Sequence, residues 1–200
     1  MSMDSFYEKT RKTEHIFQGR VFSVQVDEVE LPNGATSTRE LVKHPGAVAI
    51  MPFTQEGKLV VVRQFRKPLE KEIYEIPAGK LEREEKPESC ALRELEEETG
   101  YRTEHLRYVT SFYTSPGFAD EIIYIYEATD LQSGAFRPDP DEFVQKKAIS
   151  LEEGLDMLAK EQIHDAKTVF ALLYWQNKLL KNNDKLMDST DVSQTMGGKS

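Results

Sequence analysis

The part of the sequence best equipped for chemistry runs from Glu82 to Glu98, where eight acidic residues stand against three basic ones, a net of −5. An acidic run of this kind is ordinarily the solvated face of a helix. Its spacing argues for more. At 100° per residue, Ala91, Leu92, Leu95 and Thr99 form an apolar stripe, and Glu94, Glu97 and Glu98 share the face adjoining it. Two carboxylates 4 Å apart repel by about 1 kcal/mol in water and about 4 kcal/mol at an effective dielectric near 20, so clustering them beside a core calls for a counter-ion. Glu94 and Glu98, one turn apart, are spaced to clamp a divalent metal, and Arg93, four residues before Glu97, can hold a carboxylate in an intrahelical ion pair.

The rest of the composition narrows the ion and the setting. Cys90 is the only cysteine, which excludes an internal disulfide and any thiolate cluster and suits a reducing compartment. Four histidines without an HExxH pair leave carboxylates as the metal ligands, and these favour hard ions such as Mg²⁺, Mn²⁺ or Ca²⁺. The alternating Asp/Asn ligands of a calcium-binding EF-hand loop do not occur. A net charge of −9 disfavours unaided binding to nucleic acid or an anionic membrane. The N-terminal stretch has no apolar h-region and no segment approaches the length of a membrane span, so a soluble, cytoplasmic protein is expected.

Two hundred residues, 38% of them hydrophobic, suffice for one buried core. Phe22 to Glu30 and Thr36 to Val42, joined by the turn Pro32-Asn33-Gly34, read as a hairpin. Ala47 to Phe53 and Lys58 to Phe65 read as core strands, and Ile73 to Ile76 as a shorter one ended by Pro77-Ala78-Gly79. Pro87 opens a helix that Gly100 closes. His105 to Thr114 and Glu121 to Glu127 are expected strands, and Gln132 to Asp141 a loop. Leu151 to Lys160 and Ala166 to Leu180 have helical periodicity, the latter burying Val169, Leu172, Leu173 and Trp175. The expected organisation is N-terminal strands over 1–43, a main domain over 44–181 and a frayed tail over 182–200. Many strands around one central helix, with two more helices at the end, imply a mixed α/β sandwich.

Gly79, five residues, Glu85, seven residues and then Arg93-Glu94-Leu95-Glu96-Glu97-Glu98-Thr99-Gly100-Tyr101 resemble a complete Nudix box. Tyr101, where the pattern more often has an aliphatic residue, is the one departure, at a packing position. The resemblance covers roughly residues 40–180. It implies a Nudix-like α/β/α sandwich with a mixed sheet, here carrying an N-terminal β-hairpin extension, and hydrolysis of a nucleoside diphosphate linked to another moiety. It also implies that Glu94 and Glu98 are Mg²⁺ ligands, with Mn²⁺ a possible substitute, that Glu97 binds directly or through water, and that the Ala78 carbonyl adds a ligand. Divalent ions would reverse the field of an acidic patch that otherwise repels its substrate. For Glu85 a structural role is open, a hydrogen bond to the loop that Gly79 opens.

Ser115-Pro116-Gly117-Phe118-Ala119-Asp120-Glu121 places a proline fifteen residues after the box. With Gln64-Phe65-Arg66, Glu75-Ile76-Pro77-Ala78-Gly79 and Asp165-Ala166-Lys167-Thr168, this looks like the ADP-ribose pyrophosphatase subgroup. By that resemblance Pro116 and Gly117 belong to substrate binding, although Pro-Gly alone also makes a plain β-turn. Arg66 would grip the diphosphate with a planar guanidinium, or else pair with Glu70 or Glu72. Glu121 would accept hydrogen bonds from the terminal ribose, or else is a charge at a strand start. Phe22 would stack on adenine, or else belong to the core.

In similar enzymes a loop carboxylate activates the attacking water. Here Glu142 is the first choice, with Asp141 and Asp139 beside it and Glu97 as the alternative within the box, whose Arg93 completes the catalytic set. The expected reaction is ADP-ribose to AMP and ribose 5-phosphate, and the expected assembly a homodimer built on the N-terminal strands. The rivals are a Nudix enzyme for a nucleotide sugar, NADH or a dinucleoside polyphosphate, and a non-catalytic ADP-ribose sensor. The sensor reading lacks the basic recognition helix it needs.

Overall fold

The computed structural model describes residues 6–137 and 143–194. Its centre is a mixed sheet ordered β7-β4-β10-β9, in which β4 (Ala47–Pro52) runs parallel to β10 (Ile122–Thr129). β7 (Ala78–Lys80) and β9 (His105–Tyr113) flank them antiparallel. Strand period two divides β4 between two cores: Val48 and Ile50 pack toward helix α1 (Pro87–Thr99), while Ala49 and Met51 pack toward α2 (Leu151–Ala159) and α3 (Ala166–Gln194). β10 divides in the same way, Tyr126 and Ala128 on the α1 side and Ile123 and Ile125 on the other. The result is the expected α/β/α sandwich.

A second, antiparallel sheet, β12-β5-β6, comprises β5 (Leu59–Arg66), β6 (Lys71–Glu75) and β12 (Gln145–Ile149). β5 is buried from Leu59 to Val62 and then emerges, so that Arg66 ends it at the surface beside the cleft described below. The two-residue strands β8 (Tyr101–Arg102) and β11 (Gln132–Ser133) pair with each other after α1 and β10.

α1 starts at Pro87 and ends where Gly100 takes φ 68°, donating its N–H to the Glu96 carbonyl. Its inward face is rotated relative to the expectation. Cys90 is wholly buried and Leu92 is exposed, so Ala91 and Glu98 lie at the middle of the buried arc, and Glu94 and Glu98 are part of the inner face. In α3 the buried positions are Thr168, Ala171, Leu172 and Trp175, and Leu173, 100° from Leu172, is exposed. The helix runs on to Gln194, past its expected end at Leu180, because no proline or glycine interrupts the sequence before Gly197.

At the N-terminus β2 (Ser23–Glu30) and β3 (Thr36–Lys43) form the expected hairpin, and β1 (Lys9–Gln18) adds a third strand that the sequence reading did not contain. All ten residues of β1 are exposed. Its charged sequence offers no apolar face, and antiparallel pairing to β2 holds it in place. Val42 bridges to Ala119 and exchanges backbone hydrogen bonds with Phe118 and Asp120, which docks this sheet on the loop before β10.

Candidate active site

The acidic helix is fastened to the short strand β7. Glu98, 2% exposed, accepts a 3.0 Å hydrogen bond from the Ala78 N–H, and Glu94 is buried beside Gly79. A Cβ at residue 79 would fall on the Glu94 carboxylate, so the box glycine is required by space rather than by backbone conformation. Glu97 sits at the rim, about a third exposed.

Arg93 is the hub of this face. Its Nη1 donates to Glu94 Oε1 (2.6 Å) and Glu97 Oε2 (2.9 Å), and the latter is the i,i+4 pair expected from sequence. Its Nε and Nη2 make a fork to the two oxygens of Glu85, both at 3.0 Å. Glu85 therefore has the structural role left open for it: it holds Arg93, and its Oε2 also accepts the Glu82 N–H at 3.1 Å. The Arg93 hydrogen bonds bring the Glu85 carboxyl down to about 2, against the opposing effect of burial. The Arg93 guanidinium is raised, by Glu85 foremost and then by Glu94 and Glu97. Burial pushes the Cys90 thiol up to about 12, so it is neutral packing.

These donors fit a hard divalent ion. The oxygens of Glu94 and Glu98 lie against the backbone of Ala78 and Gly79, in the cradle that a side chain at residue 79 would fill. Among the described residues no group of three or more His, Cys, Asp or Glu side chains is arranged to hold an ion by itself. Mg²⁺ characteristically takes only one or two protein carboxylates and completes its shell with waters and substrate phosphate.

Beside this face lies a cleft of about 380 Å³ lined by Arg66, Ile73, Glu75, Thr114, Glu121 and Lys167, among others. Arg66 and Glu121, picked out separately in the sequence, thus share one cavity. Arg66 does not pair with Glu70 or Glu72. Its Nε and Nη2 donate to Glu75 Oε1 (2.6 Å) and Oε2 (2.8 Å), and Glu72 pairs with Arg63 instead. The Arg66 guanidinium is raised chiefly by its Glu75 hydrogen bond, and the charges of Glu75, Glu98 and Asp165 act in the same sense. The chain itself ties the cleft to the acidic helix, since Ala78, whose N–H donates to Glu98, lies three residues after the cleft-lining Glu75. Across the cavity Glu121 Oε2 accepts from Thr114 Oγ1 at 2.5 Å, and His44 Nδ1 stands 3.7 Å from Glu121 Oε1.

Pro116 and Gly117 are exposed in the turn closed by Phe118 N–H to the Ser115 carbonyl, and they are not part of the cleft lining. Phe22 is not core: it is 42% exposed, with its ring centroid 5.8 Å from that of Phe17. Glu142, Asp141 and Asp139 lie outside the described residues. Glu75, Thr114, Asp165 and Lys167 were not among the expected site residues. The signal for three of them was present in the Glu75-Ile76-Pro77-Ala78-Gly79 and Asp165-Ala166-Lys167-Thr168 segments, which carried a resemblance without a role.

A sandwich with an arginine-braced glutamate helix packed beside a nucleotide-sized cleft defines a Nudix hydrolase. Residues 42–172 match the NUDIX domain, and the chain belongs to the Nudix family, whose enzymes generally use divalent metal ions. Residues 8–42, the three-stranded extension, match the nucleoside diphosphate sugar hydrolase N-terminal domain. The chain is 57% identical over 173 residues to a methanol dehydrogenase activator of Bacillus methanolicus, covering 86% of this chain and 94% of that protein. It is 53% identical over 178 residues to an ADP-ribose pyrophosphatase of Bacillus subtilis (strain 168), covering 88% and 96%. Among solved structures, an ADP compounds hydrolase superposes with a TM-score of 0.78 at 22% identity, over 91% of this chain and 98% of that one, and so shares the fold.

Proposed function

We propose that this Nudix chain hydrolyses ADP-ribose to AMP and ribose 5-phosphate. The observation that carries the reading is the meeting of Arg66 and Glu121 in one cleft, whose wall residue Glu75 lies three residues before Ala78, the residue that Glu98 holds through its N–H. It is supported by the 53% identity to the Bacillus subtilis ADP-ribose pyrophosphatase.

In this reading Glu94 and Glu98, with Glu97 and the Ala78 carbonyl, would hold Mg²⁺ or Mn²⁺. Such ions supply a Lewis acid for the phosphate oxygens and an acidified water. Arg66 binds the diphosphate through the part of its guanidinium that Glu75 does not use, and Glu121 accepts from the terminal ribose. Arg93 keeps Glu94 and Glu97 from repelling each other before substrate arrives. Proton abstraction from the attacking water is assigned to Glu142, with Asp141, Asp139 and Glu97 as the alternatives that single substitutions separate. Pro116, Gly117 and Phe22 remain proposed substrate contacts; the exposed Phe22 ring is available for stacking.

The homodimer is proposed on the N-terminal sheet, which leaves β1 entirely exposed and presents Ile16, Phe17, Val21 and Phe22 to solvent. Among the described residues no helix is long and apolar enough to cross a membrane. A cytoplasmic setting is proposed from the single, buried, free Cys90.

A second reading, a nucleotide sugar as substrate, is favoured by the match of residues 8–42 to the nucleoside diphosphate sugar hydrolase N-terminal domain. Chromatography of products from ADP-ribose, GDP-mannose, ADP-glucose and NADH, with and without Mg²⁺, decides between them. The expected result is metal-dependent AMP from ADP-ribose at the highest kcat/KM. A higher kcat/KM on a sugar nucleotide would replace the first reading by the second.

A further inference from the structure

The Glu75 carboxylate, 1% exposed, is shared between two cations. Arg66 forks onto both its oxygens, and Lys167, from the first turn of α3, donates to Oε2 as well. Burial pushes the Glu75 carboxyl up, but the Arg66 hydrogen bonds and the Lys167 charge outweigh it and hold the group ionised. Lys167 is held in turn by Asp165, whose Oδ1 accepts from Lys167 Nζ at 2.9 Å and caps α3 through the Thr168 N–H at 3.2 Å. The other oxygen, Asp165 Oδ2, is buried and has no hydrogen-bond partner among the described residues. Charges therefore alternate from the helix to the cleft: Asp165, Lys167, Glu75, Arg66. All four residues line the cavity, and Arg66 is the most exposed of them.

Glu75 alone would neutralise Arg66. With Lys167 drawing on the same carboxylate, Arg66 keeps a positive field toward the cleft. With Asp165 drawing on Lys167, that field is moderated. The four charges sum to zero; loss of Lys167 leaves −1 beside an anionic ligand, and loss of the Asp165 charge leaves +1. We propose that Lys167 is a positioning residue for diphosphate binding, preserving the charge and orientation of Arg66 through Glu75, and that Asp165 sets the opposite bias. This rests on the reading of Arg66 as the diphosphate contact.

The test exploits the opposed signs. Lys167→Met is expected to raise KM for ADP-ribose about tenfold and the inhibition constant of ADP by the same factor, with kcat within about twofold. Asp165→Asn keeps a good helix cap while removing the charge, and is expected to lower both constants about twofold to threefold. Lys167→Arg should restore both, and the differences should shrink as salt is raised. Constants unchanged in Lys167→Met, or moved in the same direction by Lys167→Met and Asp165→Asn, would overturn the proposal, since a merely structural role weakens both variants alike. If melting shows Lys167→Met to be unfolded, the sign of the Asp165→Asn shift decides alone. Absence of AMP release from ADP-ribose by the wild type would instead sink the proposed reaction, and dissociation constants of ADP read by calorimetry on the same variants would still test the alternation of charges.

Discussion

The Glu94 carboxylate occupies the space that any side chain on residue 79 would need. Two box positions fifteen residues apart are thereby explained by one steric fact, and Gly79→Ala must push Glu94 off its place. The expected outcome is a folded protein whose turnover is lowered about a hundredfold, the usual cost of displacing a reacting group by an ångström or so. Steady-state rates beside a circular-dichroism melt check this, and near-normal turnover would show that the position of Glu94 is not critical.

Glu98→Gln should retain the fold, because the amide oxygen can still accept the Ala78 N–H, yet lower turnover by about three orders of magnitude through loss of the charge proposed to hold the metal. Titration with Mn²⁺ followed by electron paramagnetic resonance reads the site independently of activity. Undiminished ion binding would remove Glu98 from the ligand set.

Arg66→Ala should raise KM for ADP-ribose about tenfold or more while kcat changes little, and Arg66→Lys should recover only part of the loss because the ammonium cannot reproduce the fork onto Glu75. An unaltered KM in both variants would place the diphosphate elsewhere.

Glu142→Gln should depress kcat and leave KM in place. Full turnover would pass the role to Asp141, Asp139 or Glu97, each testable by the same substitution.

The Glu85–Arg93 fork carries a pH signature. Glu85 titrates at about 2 in the folded protein against an ordinary 4.5, so its contribution to stability is complete above about 4.5 and is lost as pH falls toward 2. The melting temperature of the wild type should exceed that of Glu85→Gln by a constant amount near neutrality. That difference should close across this acid window. A difference independent of pH from 6 down to 2 would mean that the fork does not act through its charge.

Much of this architecture could be read from residue types and spacing. Pro87 and Gly100 bracket α1 because one lacks an N–H that a first turn does not need and the other accepts φ 68° without strain. The apolar runs of β4 and β5 announced strands buried on both sides. What escaped was decided by distant partners. β1 has no apolar face to detect and exists by pairing with β2. Residues 78–80 follow a proline and looked like plain loop, yet β4 offers them an open edge. Glu70 and Glu72 were the near choices for Arg66, but only Glu75 points with it into the cleft, a direction set by the fold. The rotation of α1 that buries Cys90 and exposes Leu92 goes with the hydrogen bond from the Ala78 N–H to Glu98 and with the space that Gly79 leaves for Glu94, contacts that lie outside the helix's own sequence.

The Ile76 N–H is answered by the hydroxyl of Thr168, ninety-two positions further along the chain. The backbone that presents Ala78 and Gly79 to the glutamates is thus tied down by α3, the last of the described elements along the chain. Closing so long a loop is slow relative to forming a helix or hairpin. Competence should therefore arrive late and all at once, and a chain cut before α3 would carry every box residue yet lack the Thr168 anchor for the backbone they grip.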